Sequence, residues 1–104
     1  MLRCAGVNVI EFEGDYTSAL KLARNEAAKE PNTYFIDDED SKELFLGYSV
    51  AYKTLLHQLN NKGITVDETH PLIVYLPCGV GGGPGGINFG LKKYFGENVY
   101  CFFG

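Results

Sequence analysis

The residues best placed to do chemistry lie in one stretch. Leu72-Ile73-Val74-Tyr75-Leu76 is an unbroken apolar run that passes through Pro77-Cys78 into residues 79–86, where six of eight positions are glycine. Ile87, Leu91, Tyr94 and Phe95 follow at helical spacing, so the stretch reads as strand, loop, helix. A run without alternation predicts a strand covered on both faces, as in a parallel sheet flanked by helices. Glycine has no Cβ, so its backbone can turn sharply and approach a ligand closely. The helix behind the loop adds unpaired N–H groups and the positive end of its dipole, which together suit a phosphate. A plain strand-to-helix connection needs only one or two glycines, and more carry an entropic cost. The segment is therefore expected to bind an anion.

Which anion follows from what surrounds the loop. Gly81-x-Gly83-x-x-Gly86 satisfies the dinucleotide fingerprint, which also requires an acidic residue at the end of the next strand. The next strand candidate, Val99-Tyr100-Cys101-Phe102-Phe103, ends in Gly104 with no carboxylate at its far end. No Gly-Lys-Ser/Thr closes the loop as a nucleotide-triphosphate site requires. A single phosphate fits better. A dinucleotide-binding domain of an oxidoreductase and a non-catalytic assembly module remain the alternatives.

The segment Pro71–Lys92 resembles the phosphate loop of the D-serine dehydratases (D-serine ammonia-lyases). Asn32–Ser49 and Val99–Phe103 resemble the same family, so the likeness covers nearly the whole chain. These are pyridoxal-phosphate enzymes of the tryptophan-synthase-β fold type. The resemblance implies a pyridoxal 5'-phosphate cofactor, a small-molecule substrate (D-serine or a related hydroxy-amino acid) and β-elimination to pyruvate and ammonia. It carries the phosphate cradle onto Gly79, Val80, Gly81, Gly82, Gly83 and Gly85. It supplies no catalytic residue, because no lysine here stands in a context resembling the family's Schiff-base lysine, which lies upstream of this region. Family members are several times longer, so residues 1–104 are expected to be an internal segment, inactive alone and prone to self-association through uncovered apolar surface.

The rest of the chain must position that loop. At 104 residues, 45% hydrophobic and 21% charged, the composition is that of one globular domain, with no internal boundary or repeat. A net charge of −4 without a basic run argues against nucleic acid. No apolar run reaches membrane-spanning length, and Met1–Ala5 does not open a signal peptide. Cys4, Cys78 and Cys101 lack C-x-x-C spacing, which disfavours a disulfide framework or a zinc site and suggests a cytoplasmic protein. Cys4 reads as incidental and Cys101 as core. Cys78, beside the loop, is either a cofactor neighbour or, preferably, a small core residue.

Val7–Phe12 reads as a strand. A helix follows, with Asp15 as N-cap, an apolar stripe of Tyr16, Leu20, Ala23 and Ala27, and a stop at Pro31; it is expected to cover one sheet face. The acids Asp37-Asp38-Glu39-Asp40 do not match a calcium loop. Asp40 with Glu43 reads instead as a capping box for one long helix over Ser41–Asn61, closed by Lys62-Gly63. His57 reads as a partly buried structural residue and His70 as a loop residue, and no metal ligand set is assigned. The predicted order is strand, helix, helix, strand, glycine loop, helix, strand. It describes an α/β chain, a parallel Rossmann-like sheet segment with flanking helices.

Overall fold

The computed structural model describes residues 2–104. It divides into two compact units, one ending at Ile36 and the other spanning Asp37–Gly104, where the sequence shows no boundary.

The first unit holds a 3-10 turn at Arg3–Ala5 and helix α1, Tyr16–Lys29. Asp15 caps α1 as expected, its carboxylate accepting the Ser18 N–H at 2.7 Å. Val7–Phe12 forms no regular element, so the predicted strand is absent. β-propensity alone does not make a strand without a partner and a face to bury. No strand forms in this unit among the described residues, and α1 buries none of its residues fully, so its predicted role as a sheet cover has no counterpart there. The Arg24 guanidinium lies 5.8 Å from the centre of the Phe35 ring.

The second unit runs α2 (Lys42–Ser49), α3 (Ala51–Asn61), β1 (Leu72–Leu76), α4 (Gly82–Phe95), a 3-10 turn at Gly96–Asn98 and β2 (Val99–Phe103). The single helix expected over 41–61 is thus two. At the break, Ser49 Oγ donates to the Leu46 carbonyl at 2.6 Å, and the Val50 N–H reaches Gly47 O at 3.4 Å. A serine hydroxyl bonding back into its own helix, followed by a tightened turn, bends or ends that helix. The cap also differs. Ser41, not Asp40, is the N-cap, with its Oγ accepting the Leu44 N–H at 3.1 Å. The α3 terminus is as expected: Gly63 takes φ 67°, and the N–H groups of Gly63 and Ile64 bond to Asn60 and Leu59 carbonyls, a Schellman closure.

β1 and β2 pair in parallel, Leu72 opposite Val99 through Leu76 opposite Phe103, with α4 as the crossover. This is the predicted βαβ unit, and the α/β fold class stands. α4 packs on α2, α3 and β2, burying Leu91 and Val99. Within this unit, however, the sheet is covered on one face only. Ile73 is 57% and Tyr75 78% exposed, alternating with half-buried Leu72, Val74 and Leu76. The exposed residues are as apolar as the half-buried ones, so burial alternates along β1 where hydrophobicity does not. No helix among the described residues is long and apolar enough to cross a membrane.

Candidate phosphate site

The loop leaves the carboxyl end of β1 and is held there by β2. The Cys78 N–H donates to the Gly104 carbonyl at 2.8 Å, and the Gly104 N–H to Leu76 O at 3.1 Å. Beyond this tie the backbone opens. Gly81 takes φ 98°, which an L side chain rarely adopts, and turns the chain directly into α4. Its carbonyl accepts the Gly85 N–H at 2.9 Å, the first bond of the helix.

The helix therefore begins at Gly82, inside the glycine run rather than after it. Gly82 and Gly83 occupy its first two positions, where N–H groups have no intrahelical acceptor, and Pro84 follows at the third, where no N–H is needed. Gly79, Val80 and Gly81 form the turn before them. Five of the six expected cradle residues thus lie together at the carboxyl ends of two parallel strands. Gly85 does not join them, because its N–H is already spent on Gly81. A Cβ at Gly79 or Gly81 would meet open space, whereas one at Gly85 would stand 3.3 Å from the Phe45 ring.

The fit to a phosphate rests on that geometry: unfilled space before Gly79 and Gly81, N–H donors at a helix start, and the dipole behind them. Beside Gly82 lies a cavity of about 370 Å³ lined by Asp38, Glu39, Asp40, Ser41, Lys42, Phe45, Leu46 and Gly82. Its acidic lining disfavours an anion within that cavity. Among the described residues no cluster of His, Cys, Asp and Glu is arranged to hold a metal ion.

The cysteines and histidines lie where their elements place them. Cys78 is exposed, not core, because the loop it opens faces outward; Cys101 is half-buried and Cys4 exposed. Burial pushes the Cys101 thiol up, partly offset by the charge of Lys92. His57 is exposed rather than partly buried, on the outer side of α3, with its Nδ1 3.2 Å from Asn61 Nδ2. His70 sits in a turn organised by Asp67, whose Oδ1 accepts from Thr69 Oγ1 at 2.8 Å and from the His70 N–H at 2.8 Å. Hydrogen bonds from Thr69 and His70 hold the Asp67 carboxyl below its ordinary value.

Sequence reasoning missed α2 as the wall of this site. The Tyr48 ring lies 3.7 Å from where a Cβ on Gly83 would stand, and Asp38 O 3.6 Å from one on Gly82. The only sequence signal was the surplus of glycines beyond what a turn needs.

Comparison with known proteins agrees with the geometry. A model of the PALP family, described as pyridoxal-phosphate dependent enzyme, matches residues 1–102. The chain is 59% identical over 103 residues to a protein of Bacillus cereus (strain AH187) named probable D-serine dehydratase, covering 99% of this chain and 23% of the relative. Proteins of the same name from Vibrio parahaemolyticus and Vibrio cholerae are 60% and 61% identical over 102 residues, with 98% of this chain and 23% of each relative covered. The chain thus spans about a quarter of the length of these relatives. A family model spanning nearly every residue shows that this chain belongs to the pyridoxal-phosphate dependent enzymes.

Proposed function

We propose that the chain is the phosphate-anchoring segment of an enzyme that converts D-serine to pyruvate and ammonia. The observation that carries the reading is the cluster of N–H donors from Gly79 to Gly83, ahead of α4 and at the carboxyl ends of β1 and β2. The relatives' name supports the substrate, and the family supports the cofactor.

The residues of this chain bind and orient. Gly79, Val80, Gly81, Gly82 and Gly83 would hold the cofactor phosphate with directional, uncharged donors, which fix a dianion in place without a mobile side chain. Gly81 sets the turn that aims them. Cys78 N–H, bonded to Gly104, keeps the start of the loop on the sheet. The bound cofactor supplies an electron sink for the pair released at the substrate α-carbon. Lys92 does not serve as its carbonyl partner, because its ammonium is engaged at Val99 O. The proton-transfer groups and the lysine nucleophile belong to other parts of the enzyme, so these 104 residues alone are inactive. Alone they associate through the bare sheet face, and three unbridged cysteines accord with a cytoplasmic place.

Titration of the full-length apoprotein tests the reading. Pyridoxal phosphate is expected to bind at least about tenfold tighter than pyridoxal, and NAD not to compete. D-serine consumption should follow reconstitution. Equal affinity for the two aldehydes, or displacement by NAD, would remove the phosphate assignment.

A further inference from the structure

Gly86 and Gly90 lie one helical turn apart on a buried face of α4, away from the loop. A Cβ on Gly90 would clash with the Ser49 carbonyl oxygen and stand 2.7 Å from Ser49 C and 3.1 Å from Ser49 Cα. One on Gly86 would strike the Phe45 carbonyl oxygen and stand 2.8 Å from Tyr48 Cβ. Backbone atoms cannot swing aside as a side-chain end does, so any larger residue at either position displaces α2 as a body. Glycine is disfavoured against alanine within a helix, so two here need a packing reason. The two carbonyls lie where the glycine Cα–H groups point, the geometry of close Cα–H···O contacts between helices.

What α2 carries toward α4 is the wall of the loop. Tyr48 lies against Gly83, Phe45 against Gly85, and the Asp38 carbonyl, just ahead of α2, against Gly82. These are the first turn of α4, which bears the unpaired N–H groups. We propose that Gly86 and Gly90 are positioning residues of the phosphate site: they let α2 seat against α4 and so fix the direction of the Gly82 and Gly83 N–H groups. The proposal rests on the phosphate reading above.

The test compares the affinities of full-length apoprotein variants for pyridoxal phosphate and for pyridoxal, which differ only in the phosphate. Gly90→Ala is expected to weaken pyridoxal phosphate binding about tenfold or more while leaving pyridoxal within about twofold. Gly47→Ala, on α2 where a Cβ meets open space, should change neither. If the unaltered protein does not prefer the phosphorylated aldehyde, the phosphate reading itself fails. If it does prefer it and Gly90→Ala keeps the full preference, the positioning role is wrong. Should Gly90→Ala not fold, Gly86→Ala decides, since its Cβ meets α2 one turn nearer the loop with a milder clash. A preference reduced roughly threefold supports the proposal, and an unchanged one overturns it.

Discussion

Lys92 Nζ donates to the Val99 carbonyl at 2.6 Å and lies 5.5 Å from the centre of the Tyr100 ring. One side chain in the last turns of α4 thus holds the first residue of β2, whose own side chain is fully buried. Lys92→Met keeps the apolar stem and removes the donor, and should cost about 1 kcal/mol in denaturant unfolding. Lys93→Met, with no such bond, should cost little. Loss of the Lys92 charge should also raise the Cys101 thiol further above its ordinary value and slow its alkylation. Indistinguishable midpoints for the two variants would remove the anchoring role.

The cap of α2 gives a second contrast. Ser41→Ala should cost about 1 kcal/mol, because the Leu44 N–H loses its acceptor. Asp40→Ala, one residue earlier and outside that bond, should change stability by less than about half as much. Thermal melts followed by circular dichroism compare the two. The reverse ranking would restore Asp40 as the cap.

That pair also shows where the sequence was legible. The Asp15 cap, the Schellman end at Gly63 and the β1–α4–β2 unit were readable because each is signalled by residues next to one another. The break at Val50 was not, since a serine within a helical pattern does not announce whether its hydroxyl will bond back to the Leu46 carbonyl. The roles of Gly85 and Gly86 were hidden because each depends on a residue of a different helix. Glycine spacing cannot distinguish a backbone that approaches a ligand from one that approaches Phe45. The Val7–Phe12 error was of another kind, a local preference with no partner to realise it.

Gly81 separates loop geometry from loop space. A Cβ there meets nothing within 4 Å, yet φ is 98°. Gly81→Ala should therefore be destabilising through backbone strain alone, by about 1–2 kcal/mol. It should also weaken pyridoxal phosphate binding, since relaxing φ re-aims the N–H groups that follow. Gly79→Ala, without positive φ, should leave stability nearly unchanged. Unfolding curves and cofactor titrations on the same samples check both statements, and unaltered stability in Gly81→Ala would contradict the strain argument.

Asp15 makes α1 sensitive to acid. Hydrogen bonds from Ser18, the side chain first and the backbone N–H second, hold its carboxyl below the ordinary 3.8. The folded state therefore releases this proton more readily than the unfolded one, and between the two values the unfolded state binds more protons. The stabilisation is complete above pH 3.8 and disappears as pH falls through the lower folded value. The Ser18 amide resonance should report this loss in an NMR titration. Asp15→Asn keeps an acceptor oxygen but cannot titrate, so its Ser18 resonance should stay constant over that window. A titration midpoint at 3.8 in the unaltered protein would remove the effect, and one above it would reverse the sign.

The bare sheet face makes the last prediction. Tyr75 and Phe102 stack with ring centres 5.3 Å apart, and their neighbours Ile73 and Tyr100 are more than half exposed on the same side. Contiguous aromatic surface beside unpaired strand edges favours association. A second copy of the 104-residue chain presents the same face and edge. Sedimentation should show dimers or larger species whose proportion rises with concentration. Tyr75→Lys with Phe102→Lys sets like charges directly across the ladder and should return the chain to monomer, at some cost in stability. If another layer covers this face in the full-length protein, the same pair should instead destabilise that fold. Were the unaltered 104 residues monomeric at every concentration, the face would not be what drives assembly.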